Sequence, residues 1–274
     1  MKWLQLIRPK TSQHKYAINA EMLGDSNELA WSNLGFWKNS SSHYIEACRA
    51  LADELACSLN LNSKDKVLDL GCGQGASLKH WIENYKVNQL YAVELQQSCV
   101  DKIQNKLPLV HVFCSSFLNL SHFTALKHFD VVMCIDALYH SNLNSFLKSI
   151  EPVLHSNARI GFHYLILSEK WQTLNSFQKQ KYKWLLKLAD VKIENLIEEA
   201  MLLEELENFE FKNVQIKDLT ENVFGGFASY FEQKLKFKIK NKSLDQLKIE
   251  MTAKLCRKLN DDGIIRYVQI TAKK

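Results

Sequence analysis

The sequence predicts an α/β fold: a seven-stranded, mostly parallel sheet with an antiparallel last strand, helices on both faces and a helical lid. Two observations carry this. Short apolar runs of strand length alternate with stretches whose apolar residues recur every three or four positions. Only nine glycines and three prolines punctuate the 274 residues, so each cluster of them marks a deliberate turn.

A helix is expected over about His43 to Leu59, where Ile45, Cys48, Ala52, Leu55 and Leu59 fall on one face. Asn62-Ser63-Lys64-Asp65 turns the chain into a first strand, Lys66 to Leu70. Ala76, Leu78, Trp81, Ile82 and Tyr85 mark the next helix, and Leu90 to Val93 the second strand. A helix around Ser98 to Leu107 leads to a third strand, Val110 to Phe113. Val131 to Ile135 is the fourth strand; Leu143, Phe146, Leu147 and Ile150 give a helix; Arg159 to Leu167 is the fifth strand, entered by a turn at Ser156-Asn157-Ala158. Trp171 to Leu188 and Glu194 to Glu207 read as helices, and Lys212 to Lys217 alternates as a strand. Glu221 to Asn260 is mostly helical, opened by Gly225-Gly226. Asp261-Asp262-Gly263 turns into Ile264 to Thr271, read as an antiparallel edge strand.

This is one domain over 1–274: a cap segment at 1–42, a core at 43–167, a helical insertion at 168–210, and the last two strands at 211–274 carrying a lid at 221–260. Hydrophobic residues at 46% and charged residues at 24% are ordinary for a globular chain of this size. The formal net charge of +5 gathers late, in Lys234, Lys236, Lys238, Lys240 and Lys242, a run that reads first as a solvated face. Seven cysteines without a C-x-x-C pair predict reduced core thiols, no metal site and a cytoplasmic protein. No apolar run reaches membrane-spanning length.

The chemistry sits at Val67 to Gly75, V-L-D-L-G-C-G-Q-G. A strand running into G-x-G-x-G lets a ligand approach bare backbone, and the next helix start turns its amides toward it. The third glycine comes one residue too early for a dinucleotide loop, and no P-loop lysine follows. Instead Asp69 lies on the strand side, which suits a cationic ligand; S-adenosylmethionine carries an ammonium and a sulfonium. Glu94, which ends the second strand in Y-A-V-E-L about nineteen residues past Gly75, is placed to accept two ribose hydroxyls.

These two motifs resemble the class I S-adenosylmethionine-dependent methyltransferases, Rossmann-like enzymes, in their small-molecule branch. Phe129 to His140, Leu154 to Tyr164, Asn208 to Thr220 and N-L-G-F-W at Asn33 to Trp37 resemble further segments of that branch. The resemblance implies S-adenosyl-L-methionine as cofactor. Asp69, Gly71, Gly73 and Gly75 would hold its methionine part, Glu94 and Leu95 the ribose and one adenine face, Ser115 and Ser116 the adenine edge. Cys134 to Ala137 would line the pocket near the sulfonium, and Trp37 would cover it. The family often has Asp where Ser115-Ser116 stand, and glycines where Ser156-Asn157-Ala158 stand.

Methyl transfer needs alignment and exclusion of water, and a base only where the nucleophile sheds a proton. His140 is the expected base, Tyr139 an orienting group, and one of His163 and Tyr164 is expected to face the pocket. Phe224, Phe227, Tyr230 and Phe231 predict an apolar pocket, hence a small apolar or aromatic acceptor. The alternatives are a lipid acceptor with peripheral membrane contact through F-E-Q-K-L-K-F-K-I-K-N-K, or a non-catalytic cofactor-binding protein. C-I-D-A in place of an N-P-P-Y type loop, with no arginine cluster, argues against a nucleic-acid acceptor.

Overall fold

The computed structural model describes residues 19–38, 43–123, 128–235 and 243–274. Strands β1 (Lys66–Leu70), β2 (Gln89–Glu94), β3 (His111–Cys114), β4 (Phe129–Cys134), β5 (Leu154–Leu167), β6 (Ile197–Glu198), β7 (Lys212–Asp218) and β8 (Ile265–Lys273) form one sheet. Its order is β3-β2-β1-β4-β5-β8-β7, with the two-residue β6 pairing β5. β1 to β6 run parallel; β8 runs antiparallel to both its neighbours.

Helices α1 (Tyr44–Ser58), α2 (Ala76–Tyr85) and α3 (Gln97–Lys106) cover one face, where Leu51, Leu55, Trp81 and Ile103 pack on Val67, Val131 and Met133. α4 (Leu143–Ile150) and α6 (Glu199–Asn208) cover the other, where Phe146, Leu147, Leu202 and Leu206 meet Leu68, Val132, Ile160 and Phe162. Strands buried on both faces read as unbroken apolar runs, which is why β1 and β4 stood out in the sequence. α5 (Ser176–Leu188), α7 (Gly226–Tyr230) and α8 (Leu244–Asp262) add Leu186, Phe227 and Ile249 to the first of these cores.

Three expectations are corrected. β8 is not an edge strand: it lies between β5 and β7, and seven of its nine residues are buried, whereas β7 takes the exposed edge. Ser156-Asn157-Ala158 is not a turn but part of a continuous β5, whose register against β4 shifts from Phe129↔Leu154 to Val131↔Arg159, so the extra residues are absorbed as a bulge. Asp261 and Asp262 end α8, and Gly263, at φ 62°, alone makes the left-handed cap. The lid is wound irregularly: π-helical turns at Glu221–Gly225 and Phe231–Leu235 flank α7.

Successive connections leave β1 in opposite directions, to β2 on one side and eventually β4 on the other. The sheet order therefore reverses at β1 and β4, and in sheets of this kind the ligand crevice lies beyond the carboxyl ends of the strands at that point.

Candidate active site

β1 ends directly in Gly71, Gly73 and Gly75, with φ of 73°, 55° and 91°, a left-handed run that side chains resist. The Gly71 amide donates to the Val93 carbonyl (2.8 Å), tying the loop to β2. An added Cβ at Gly71 would sit 3.0 Å from Ala137 Cβ, and at Gly75 2.7 Å from Ile103 Cγ1. The loop is therefore wedged between α3 and the end of β4. At Gly73 the added atom would lie 2.8 Å from Ser32 Oγ, so the cap segment rests on the loop.

Glu94, at the end of β2, curls back: its Oε2 accepts from the Gly73 amide (3.0 Å) and its Oε1 from the Gln96 amide (2.9 Å). Two backbone donors on one carboxylate hold it rigidly. Asp69 is only 1% exposed, behind the loop. Its Oδ2 accepts from the Trp81 indole (2.8 Å), and burial pushes its pKa up to about 6 despite that bond, with the charge of Glu94 adding to the rise. Asp69 is therefore a buried group behind the loop and offers no open carboxylate to the surface. Leu95 is exposed beside Glu94, and Ser115 and Ser116 stand partly exposed just past β3, where the Ser115 amide donates to the Glu94 carbonyl (3.0 Å). These residues come together along the ends of β1, β2 and β3.

The end of β4 builds the other side. Cys134 is fully buried toward α4, so it backs the crevice and does not line it; Ile135, Asp136 and Ala137 are partly exposed. Asp136 has φ 52°, a conformation costing a non-glycine residue about 1 kcal/mol. Its Oδ1 accepts from the Tyr139 hydroxyl (2.9 Å) and the Tyr267 hydroxyl (2.9 Å), its Oδ2 from the Leu34 amide (2.8 Å). Crowding by protein raises its pKa to about 6, with those three donors pulling the other way. Sequence reading placed this residue on the pocket wall without weighing its charge; the signal was an acid directly after an apolar strand at the switch point.

Tyr139 and His140 lie in a short 3-10 turn, Leu138–His140, rings 4.6 Å apart. His140 Nδ1 bonds the Asp190 carbonyl (3.1 Å), and the Asn195 amide donates to the His140 carbonyl (3.2 Å). A carbonyl only accepts, so Nδ1 carries a proton. The segment after α5 thereby anchors this turn.

His163 and Tyr164 do not join them. Both are fully buried on opposite faces of β5: His163 toward α1 with Gln269 (3.4 Å), Tyr164 toward α4, its hydroxyl donating to the Asn195 carbonyl (2.5 Å). Desolvation lowers the pKa of His163 to about 4, which keeps it neutral. Neither faces the crevice, contrary to the expectation that one of them would. Trp37 stacks on Tyr230 (centroids 4.5 Å) and donates its indole N–H to the Leu34 carbonyl (2.9 Å), so it joins cap to lid; Ser32 is the cap residue on the loop itself. Phe224, Phe227 and Phe231 are buried core residues, and the Tyr230 hydroxyl donates to the Leu23 carbonyl (2.8 Å). The lysines from Lys236 to Lys242 lie outside the described residues, as does most of the lysine-rich stretch that suggested membrane contact.

The arrangement fits the expected cofactor: a bare-backbone cradle, an acid at the adjacent strand end, and no P-loop lysine for phosphate. Comparison with known proteins agrees. Residues 67–157, from β1 through the start of β5, match the family described as a methyltransferase domain. The chain is 24% identical to the erythromycin 3''-O-methyltransferase of Saccharopolyspora erythraea, over 89% of this chain and 82% of that protein. The fold superposes on the cyclopropane synthase MmaA2 of Mycobacterium tuberculosis with a TM-score of 0.70 (16% identity, 95% of this chain, 100% of that one). It superposes on a geranyl diphosphate methyltransferase, solved with GPP and sinefungin, with a TM-score of 0.71 (13% identity, 93% of each). Among the described residues, no helix is long and apolar enough to cross a membrane. The glycine cradle, the acid beside it and the methyltransferase-domain match over residues 67–157 together support S-adenosylmethionine-dependent methyl transfer by this chain.

Proposed function

We propose that the enzyme transfers a methyl group from S-adenosyl-L-methionine to a small apolar or aromatic acceptor. The observation that carries this is the closure of Glu94 on the Gly73 amide, which puts an acid and a bare loop at the ends of neighbouring strands. Asp69, Gly71, Gly73 and Gly75 hold the methionine part, Glu94 and Leu95 the ribose and adenine face, and Ser115 and Ser116 the adenine edge. When bound, the cofactor supplies an electrophilic methyl on sulfonium. Tyr139 and His140, fixed on their turn, orient the acceptor. Trp37, packed on Tyr230, ties the cap to a lid that excludes water. The aromatic content of that lid and the small-molecule name of the erythromycin-modifying relative support the acceptor class. Seven free thiols support a cytoplasmic setting. The test is incubation with methyl-labelled cofactor and cell extract, with mass spectrometry of the products. Label in a small lipophilic compound supports the reading; cofactor binding with no S-adenosylhomocysteine released over many hours would leave a non-catalytic binding protein.

A lipid-associated acceptor is the second reading, favoured by α5. Phe177 (81% exposed), Trp184 (61% exposed) and Leu188 share its outer face, and its thirteen residues include four lysines and no acid. Flotation with anionic vesicles at physiological salt tests it: binding lost in Trp184→Ser supports it, and absence of binding removes it.

A further inference from the structure

Asp136 carries bonding capacity and charge that the fold leaves uncompensated. A carboxylate accepts about four hydrogen bonds. Oδ1 takes two and Oδ2 one, which leaves a lone pair on Oδ2. The residue stays partly exposed at the end of β4, beside the glycine loop whose Gly71 abuts Ala137. The titratable groups around it are Tyr44 and Cys48 of α1, Cys134 and Tyr139 at the end of β4, Cys256 of α8 and Tyr267 of β8. Burial raises the pKa of every one, so all are uncharged at neutral pH, and among the described residues Asp136 makes no ion pair. A carboxylate kept without a counter-ion, on strained backbone, at the mouth of the crevice is poised for a positive charge or a proton that arrives with the ligands.

We propose that Asp136 is the group that takes the acceptor's proton, and that the acceptor is therefore a protic nucleophile, a hydroxyl or an amine. This rests on the methyl-transfer reading above. The acceptor lone pair forms the new bond to the methyl carbon, the carbon–sulfur pair returns to sulfur to give neutral S-adenosylhomocysteine, and the O–H or N–H proton passes to Asp136 Oδ2. Tyr139 and Tyr267 are positioning residues that occupy Oδ1 and leave Oδ2 to the acceptor. The Leu34 amide brings the cap segment to the same carboxylate, so the cap helps to place the base.

The test needs no acceptor. Sinefungin carries an ammonium in the region of the transferring methyl, whereas S-adenosylhomocysteine is neutral there. Calorimetric titration of both is expected to give at least a tenfold preference for sinefungin in the wild type. In Asp136→Asn the preference should fall to near parity with the S-adenosylhomocysteine affinity unchanged. Tyr267→Phe, which removes a donor and keeps the acid, should retain or raise it. Equal preference in wild type and Asp136→Asn overturns the proposal. Should Asp136→Asn not fold, the wild-type preference is measured from pH 4.5 to 7.5: a rise of about tenfold supports the assignment and a flat profile overturns it. If neither compound binds, the methyltransferase reading fails first and this proposal with it.

Discussion

The two carboxylates that frame the crevice are built in opposite ways. Glu94 is satisfied by backbone amides of Gly73 and Gln96, both within or next to the two sequence motifs. Asp136 takes its donors from Leu34, Tyr139 and Tyr267, spread across the cap, the end of β4 and β8. The first site is a local device, closed by amides of the two short motifs. The second exists only when the whole sheet and the cap have assembled. On the proposed reading, the cofactor side is held by local bonds and the acceptor side by bonds that span the fold.

Experiments can break or sharpen that contrast. The largest effect is expected at the local device. Glu94→Ala removes a charged group with two backbone partners and a ligand contact; cofactor affinity should fall about 30- to 100-fold by calorimetry, near 2–3 kcal/mol. A change below threefold would mean that Glu94 is only a loop brace.

Next comes the ionisation of Asp136. Its folded pKa of about 6 lies above its unfolded value, so the folded state binds the extra proton between the two. Its contribution is favourable at low pH and is lost as pH rises toward 7. The stability of wild type relative to Asp136→Asn should therefore decline by about 2 kcal/mol from pH 4.5 to 7 in urea titrations. His163 runs the other way: its lowered folded pKa costs stability as pH falls from about 6.5 to 4. Asp69, also raised to about 6, titrates in the same window as Asp136, so the difference between wild type and the isosteric variant is what isolates Asp136.

The join between cap and lid should respond at a similar or smaller scale. An added Cβ at Gly226 would lie 2.4 Å from Trp37 Cβ, so Gly226→Ala should cost about 1–3 kcal/mol by chemical denaturation. The smallest effect is expected on α5, where Trp184→Ser should change stability by less than about 0.5 kcal/mol. A larger loss there would mean that the outer face of α5 is covered within the protein.

The same contrast explains what could be read from the chain. β1 and α2 were legible to the residue, because a buried parallel strand, a glycine loop and an amphipathic helix each leave a short-range signature. β8 was recognised as a strand but misplaced, since period and turn residues say nothing about which strands will flank it. Cys134 was assigned to the pocket and faces the core, a single step in strand alternation. His163 reads as the end of the fifth strand, but β5 runs on to Leu167 and buries it against α1. The bonding of Asp136 was invisible, because donors at positions 34, 139 and 267 share no local pattern.

The interior position of β8 bears on synthesis. β7 pairs with no strand but β8 among those described, and β8 follows it in the chain by a long helical excursion. While the ribosome is still short of Ile265, β7 has no ladder to join, and β5 exposes a bare edge along its length. Nascent chains stalled before β8 should therefore be the most readily cleaved and the most prone to clump.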